Sequence, residues 1–140
     1  MSTEVPASER LKGEVRSHWE DETCGTRYSG ATDPGQYFAE LSRARYELEP
    51  YIPELANFPS AQGKRVLEIG VGAGSDFERW CPYAEHVTGI DLTDKAIATT
   101  RERLQLAGVP PSKYTLERMD CERLAFADAS FDIVYSYGVL

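Results

Sequence analysis

The spacing of apolar and polar positions changes near residue 63. Before that point, residues 1 to about 15 are polar, charged and without period, which predicts a frayed end with no regular structure. Between His18 and Gly30, Trp19 and Tyr28 flank Cys24-Gly25 among charged residues, a composition suited to an ordered loop or short helix. Asp33-Pro34 then supplies a helix cap followed by proline in the first turn, and Tyr37, Leu41, Ala44 and Leu48 recur at helical spacing until Pro50. A short segment over 51–58, interrupted by Pro53, leads to the turn Ser60-Ala61-Gln62-Gly63.

After residue 63, short apolar runs alternate with helical patterns, which predicts a parallel α/β sheet built from right-handed crossovers. The predicted strands are 65–69, 86–91, 114–119 and 131–136, the last as the more fully buried strand. A helix begins near Ser75 and ends before Pro82. A better-signalled helix is capped by Thr93, places Ala96, Ile97, Thr100 and Leu104 on one face, and stops at Gly108 with Pro110 and Pro111. No internal repeat or low-complexity tract is present. The pattern divides the chain into an N-terminal helical or irregular cap, 1–62, and a sheet-forming part, 63–140.

The chemistry concentrates where the first strand breaks: Val66-Leu67-Glu68-Ile69-Gly70-Val71-Gly72-Ala73-Gly74-Ser75. Three alternating glycines allow positive φ and let a ligand lie against the backbone. Ser75 stands where a dinucleotide fingerprint needs its third glycine, and there is no Gly-Lys-Ser/Thr of a phosphate-cradling loop. Glu68, two positions before the first glycine, suits a ligand whose near end carries an ammonium group. The acidic-x-Gly-x-Gly-x-Gly pattern resembles the first motif of the class I, Rossmann-like S-adenosylmethionine-dependent methyltransferases. Gly89-Ile90-Asp91-Leu92-Thr93 is similar to that family's second strand and its terminal acid, Met119-Asp120-Cys121 to its adenine-contacting segment, and residues 131–140 to its fourth strand.

The resemblance covers roughly residues 63–140. It implies an incomplete Rossmann-like, mainly parallel sheet of order 3-2-1-4, with helices packed on it and an N-terminal helical segment. The family's full sheet has seven strands in the order 3-2-1-4-5-7-6. It also implies S-adenosyl-L-methionine as cofactor. Gly70, Val71 and Gly72 would pass their backbone under the methionyl part, Glu68 would hold its ammonium directly or through water, and Gly74 would permit close strand-to-helix packing. Asp91 would accept from the ribose hydroxyls, Leu92 would pack on the adenine, Asp120 and the Cys121 backbone would meet the adenine edge, and Ser136 would lie at the methionyl group. The blander alternatives are a tight turn at the glycines, a helix cap at Asp91, a surface turn at Asp120 and an ordinary strand end at Ser136.

Composition bounds the rest. A chain of 140 residues, 41% hydrophobic, supports one compact domain. A formal net charge of -8 repels phosphate backbones, which disfavours nucleic acid and favours a small-molecule methyl acceptor. Three widely spaced cysteines, Cys24, Cys81 and Cys121, with two histidines indicate neither a disulfide framework nor a metal site and fit a reducing cytoplasm. Cys24 and Cys81 read as packing residues, and Trp19, Tyr28 and Tyr37 as core in preference to a lid. No apolar run of signal-peptide or membrane-span length occurs. No general base is identifiable. The apolar end beyond the fourth strand leaves an edge suited to a homodimer or a second chain, so a noncatalytic cofactor- or partner-binding module is the rival reading.

Overall fold

The computed structural model describes residues 6–23 and 26–139. Its helices are α1 (Ala7–Asp21), α2 (Pro34–Leu48), α3 (Ile52–Ala56), α4 (Ser75–Trp80) and α5 (Asp94–Leu106), with 3-10 turns at Thr26–Tyr28, Phe58–Ala61 and Pro111–Lys113. Four strands, β1 (Arg65–Ile69), β2 (His86–Asp91), β3 (Tyr114–Arg118) and β4 (Ile133–Ser136), form a parallel sheet of order β3-β2-β1-β4. This is the parallel sheet that the alternating pattern predicts, in the Rossmann-like order that the resemblance implies. The chain runs outward from β1 to β3 and then returns to the other side of β1. The resulting reversal places the carboxyl ends of β1 and β4 side by side, with Ile69 in register with Ser136.

One face of the sheet carries the main core. Val66, Val87 and Leu116 meet Phe77 and Trp80 of α4 and Ile97 and Leu104 of α5, and Ile52, Phe58 and Ala61 join the same cluster from the N-terminal segment. Trp80 and Phe77 are fully buried, each side chain contributing about 2 kcal/mol by removal from water. The Phe58 ring stands edge-on to Trp80 at 4.7 Å between centroids. On the opposite face, Leu67, Ile69 and Ile90 are covered by Met119, Cys121, Phe126 and Phe131. The caps act as their sequence signals require: Asp33 accepts from the Gln36 amide at 2.9 Å and Thr93 from the Ala96 amide at 3.2 Å.

Arg103 holds α2, α4 and α5 together. It is 2% exposed, and all five of its N–H groups are used. Nε donates to the Ala73 carbonyl at 2.8 Å, Nη1 to Ser42 Oγ and Glu78 Oε2 at 2.8 Å each, and Nη2 to the Phe38 carbonyl at 3.2 Å and Ser75 Oγ at 3.1 Å. A planar guanidinium can serve five acceptors in fixed directions, which no other side chain does.

Three expectations need correction. Residues 7–15 are helical, as the first part of α1, and do not form a frayed end. None of the residues of α1 is buried, and polar groups dock it: Lys12 pairs with Asp120 at 2.8 Å and also with Glu122, Glu9 pairs with Arg123 at 2.7 Å, and the Glu20 carboxylate accepts from the Asp94 and Lys95 amides at 2.8 and 3.2 Å. Glu20 thereby caps α5 from outside. Trp19 and Tyr28 are exposed and are not core; α1, which bears Trp19, is held by charges. β4 is two residues shorter than predicted and is not fully buried: Val134 is 62% exposed, since β4 pairs only with β1 and no described helix covers its second face. Cys81 is buried as expected, whereas Cys24 lies outside the described residues.

Replacing Arg103 by Met should lower the unfolding free energy by about 3 kcal/mol, because buried carbonyls and the Glu78 carboxylate lose their donor. Arg103→Lys should recover only part of it; urea titration measures both. Because α1 is docked by ion pairs and external caps, its amides should exchange hydrogen faster than those of β1 and β2. The difference should widen in 1 M salt, where the screening length falls to about 3 Å.

Candidate functional site

The site is built at the carboxyl edge of β1 and β2, where the backbone must turn sharply. Gly70, Gly72 and Gly74 have φ of 80°, 55° and 80°, the left-handed region where side chains are strained. Gly70 must also be bare: a Cβ there would fall 2.1 Å from Cγ2 of Val139, which lies beyond β4 and folds back over the loop. At Gly74 a Cβ would meet Thr100 at 2.9 Å, so the loop rests directly on α5. Thr100 Oγ1 donates to the Gly72 carbonyl at 3.1 Å and Arg103 to that of Ala73, which fixes the outer half of the loop. The Gly70 amide donates to the Ile90 carbonyl at 2.8 Å, which fixes the inner half.

Asp91 joins this loop to the next. Its Oδ2 accepts from the Gly72 amide at 3.2 Å, and its Oδ1 accepts from the Thr93 amide and hydroxyl at 3.0 Å each. Thr93 is the helix cap, so capping does not account for Asp91. Three donors occupy a carboxylate with about four acceptor positions, and Oδ2 retains free acceptor capacity beside the glycine loop. The Asp91 carbonyl also takes the Met119 amide at 2.9 Å, tying the end of β3 to the same edge.

Glu68 is 3% exposed, and its Oε2 has no hydrogen-bond partner. Burial, followed by the charge of Asp76, pushes its carboxyl well above the ordinary range, with Arg45 and the Trp80 indole pulling the other way. The Trp80 N–H lies close without reaching hydrogen-bond alignment with any acceptor. Asp76, 3% exposed, accepts four hydrogen bonds: from Arg45 Nε and Nη2 at 2.9 and 2.6 Å, from the Tyr46 hydroxyl at 2.8 Å and from the Tyr135 hydroxyl at 2.9 Å. Burial and then the Asp76 charge raise both tyrosines, so they remain donors. Tyr137 extends the network outward, donating to Glu49 at 2.9 Å and touching the Tyr51 hydroxyl.

The remaining candidate residues fall around this center. Val71 is buried in the core, so only its backbone faces the loop; Leu92 is half-buried beside Asp91. Ser136, next to Ile69, has a buried hydroxyl without a partner. Asp120 Oδ1 accepts from the Glu122 amide at 2.9 Å and Oδ2 from Lys12 at 2.8 Å, so it forms the turn after β3 and also anchors α1. Lys12 holds the Asp120 carboxyl below the usual range. Cys121 packs below it. Sequence reasoning missed Asp76, Arg45, Tyr46 and Tyr135. The available signal was an acid directly before Phe77 in a helix that must bury one side against the sheet, and a tyrosine within an apolar strand. Two open cavities, of about 280 Å³ beside Tyr37 and Thr99 and about 440 Å³ beside Cys81 and Pro110, include no residue of the glycine loop.

Comparison with known proteins agrees with this arrangement. Residues 66–140 match a family described as a methyltransferase domain. A phosphatidylethanolamine N-methyltransferase from Cereibacter sphaeroides is 41% identical over 78 residues, covering 54% of this chain and 36% of that protein. The S-adenosyl-L-methionine-dependent Diels-Alderase iccD from Talaromyces variabilis is 30% identical over 110 residues, covering 77% of this chain and 37% of that one. The crystal structure of YcgJ from Bacillus subtilis superposes with a TM-score of 0.57 at 27% identity, covering 63% of this chain and 37% of that chain. The chain spans little more than a third of the length of these proteins. With a glycine loop, an acid closing β2 and a sheet of order 3-2-1-4, and with more than half of its length matched, the chain belongs to the methyltransferase domain family.

Proposed function

We propose that this chain carries the S-adenosyl-L-methionine site of a methyltransferase acting on a small-molecule acceptor. The observation that carries the reading is the meeting, at one sheet edge, of three left-handed glycines, the Asp91 carboxylate tied to Gly72, and the orphaned buried oxygen of Glu68. These residues fit the group. Glu68 offers an acceptor to an ammonium, and Gly72, left-handed in φ and tied to Asp91, offers backbone without a side chain. Asp91 Oδ2 offers an acceptor to a sugar hydroxyl, and Leu92, Asp120 and Cys121 border the space beyond it. Ser136 adds an unpartnered hydroxyl on the β4 side. The bound cofactor would supply an electrophilic sulfonium methyl.

The chain's own residues account for positioning more than for proton transfer. Arg103 and Thr100 hold the loop still, and Asp91 sets the spacing between loop and β2, so a ligand meets a preorganised surface. A nucleophilic oxygen, nitrogen, sulfur or carbon held in line would react fastest in a water-poor space. Among the described residues before 63, α1 reaches from Asp120 to the start of α5, where it would cap the edge proposed for the adenine. The charge of -8 favours a small acceptor over nucleic acid. A noncatalytic module gains no support from the N-methyltransferase and the Diels-Alderase that the chain resembles, both named as enzymes.

Calorimetric titration with S-adenosylhomocysteine should show one-to-one binding. Asp91→Ala should weaken it about 10–100-fold, the loss expected for a hydrogen bond to a charged group. Asp91→Asn should fall between the two, and Gly72→Trp should abolish binding while circular dichroism stays unchanged. Unaltered affinity in all three variants would overturn the assignment of the site.

A further inference from the structure

The groups facing Glu68 come from every element around it. They are Asp76 and the Trp80 indole from α4, Arg45 from α2, Asp91 from β2, Tyr135 from β4 and the Cys81 thiol just past α4. Arg79, also on α4, lies over the Tyr46 and Phe58 rings. Arg45 is the cation nearest in role, yet its hydrogen bonds go elsewhere: Nε and Nη2 to Asp76, and Nη1 to Glu49 at 3.4 Å. Two carboxyl groups, each 3% exposed, therefore share one guanidinium, and Asp76 holds it along with two tyrosine hydroxyls. Glu68 is left with an unpartnered oxygen in a water-poor space, an arrangement in which the charged form of a carboxyl is disfavoured.

We propose that Glu68 carries a proton in the ligand-free protein and releases it to solvent when the ammonium of the cofactor seats against it. Cofactor binding is thus coupled to the loss of one proton. The inference rests on the cofactor reading above and specifies how Glu68 serves it. The balance is simple: the neutral carboxylic acid and the ligand ammonium become a carboxylate–ammonium pair and one solvated proton, with no change at the ligand nitrogen. The Asp76–Arg45 pair is the device that keeps the site neutral when empty, because Arg45 gives its hydrogen bonds to Asp76 and Glu49 and none to Glu68. The sign follows from linkage. The free protein binds one more proton than the complex, so affinity rises with pH, by up to tenfold per unit, until the free Glu68 itself ionises.

The test is calorimetry with S-adenosylhomocysteine in cacodylate and in Bis-Tris, which both ionise between about pH 5.5 and 7.5 but with different heats, so that the heat difference between buffers counts protons. Release should approach one proton per ligand at every pH below the ionisation of the free Glu68 and fall away above it, and affinity should rise with pH wherever protons are released. Glu68→Gln should bind more weakly, release no proton and lose the pH dependence. An infrared difference spectrum of the unmutated protein provides a second readout that needs no variant: binding should remove a protonated-carboxyl C=O band and add a carboxylate band. Binding with no proton release at any pH, or equal release from Glu68→Gln, would overturn the inference and leave the cofactor reading standing. Absence of binding at every pH would overturn both.

Discussion

Arg103 is the constraint on which the rest of the site depends. A guanidinium that is 2% exposed must have every donor satisfied, and the five acceptors around it come from α2, the glycine loop and α4. Satisfying one buried cation therefore fixes where α2 lies, where Ala73 points its carbonyl and where α4 begins. The loop can then be bare and strained in φ without collapsing, since its carbonyls are held from α5 by Arg103 and Thr100 and its amides from β2 by Ile90 and Asp91. The stability of the core and the order of the cofactor edge are in this sense the same set of contacts.

A second buried network, around Asp76, works in the opposite sense. Arg103 satisfies everything near it, whereas the Arg45–Asp76 pair takes the available cation and leaves Glu68 without one. In a medium of low polarity an unpaired carboxyl is held neutral more readily than it is ionised. A site built this way favours an incoming ammonium, which supplies the missing positive charge. The N-terminal helices serve both networks: α2 brings Ser42 and the Phe38 carbonyl to Arg103, and Arg45 and Tyr46 to Asp76.

Much of this was legible in the sequence, for physical reasons that differ by element. β1 and β2 have the predicted bounds because a parallel strand buried on both faces leaves a short, mostly apolar run between turn residues, Val66, Leu67 and Ile69 in β1 and Val87 and Ile90 in β2. α5 was legible from its cap and its stripe of Ala96, Ile97, Thr100 and Leu104, all buried. The glycine loop was legible because positive φ leaves few residue choices. α1 was not, since Leu11, Val15 and Trp19 stay exposed and its contacts are ion pairs with residues about a hundred positions away, which no local window contains. Arg103 and Asp76 were missed for a related reason: a charged residue on a helix reads as solvent-facing until its partners are known. β4 was overestimated because its apolar run predicts burial, which also needs a covering layer.

The measurement that addresses the central claim most directly is an amide chemical-shift map of the protein titrated with S-adenosylhomocysteine. If the cofactor edge is where the glycine loop, Asp91 and the end of β4 meet, shifts should be confined to residues 68–74, 91–93, 119–121 and 136–139. The cavities beside Tyr37 and beside Cys81 should stay silent. Shifts centered on either cavity, or a spectrum unchanged at saturating ligand, would contradict the account.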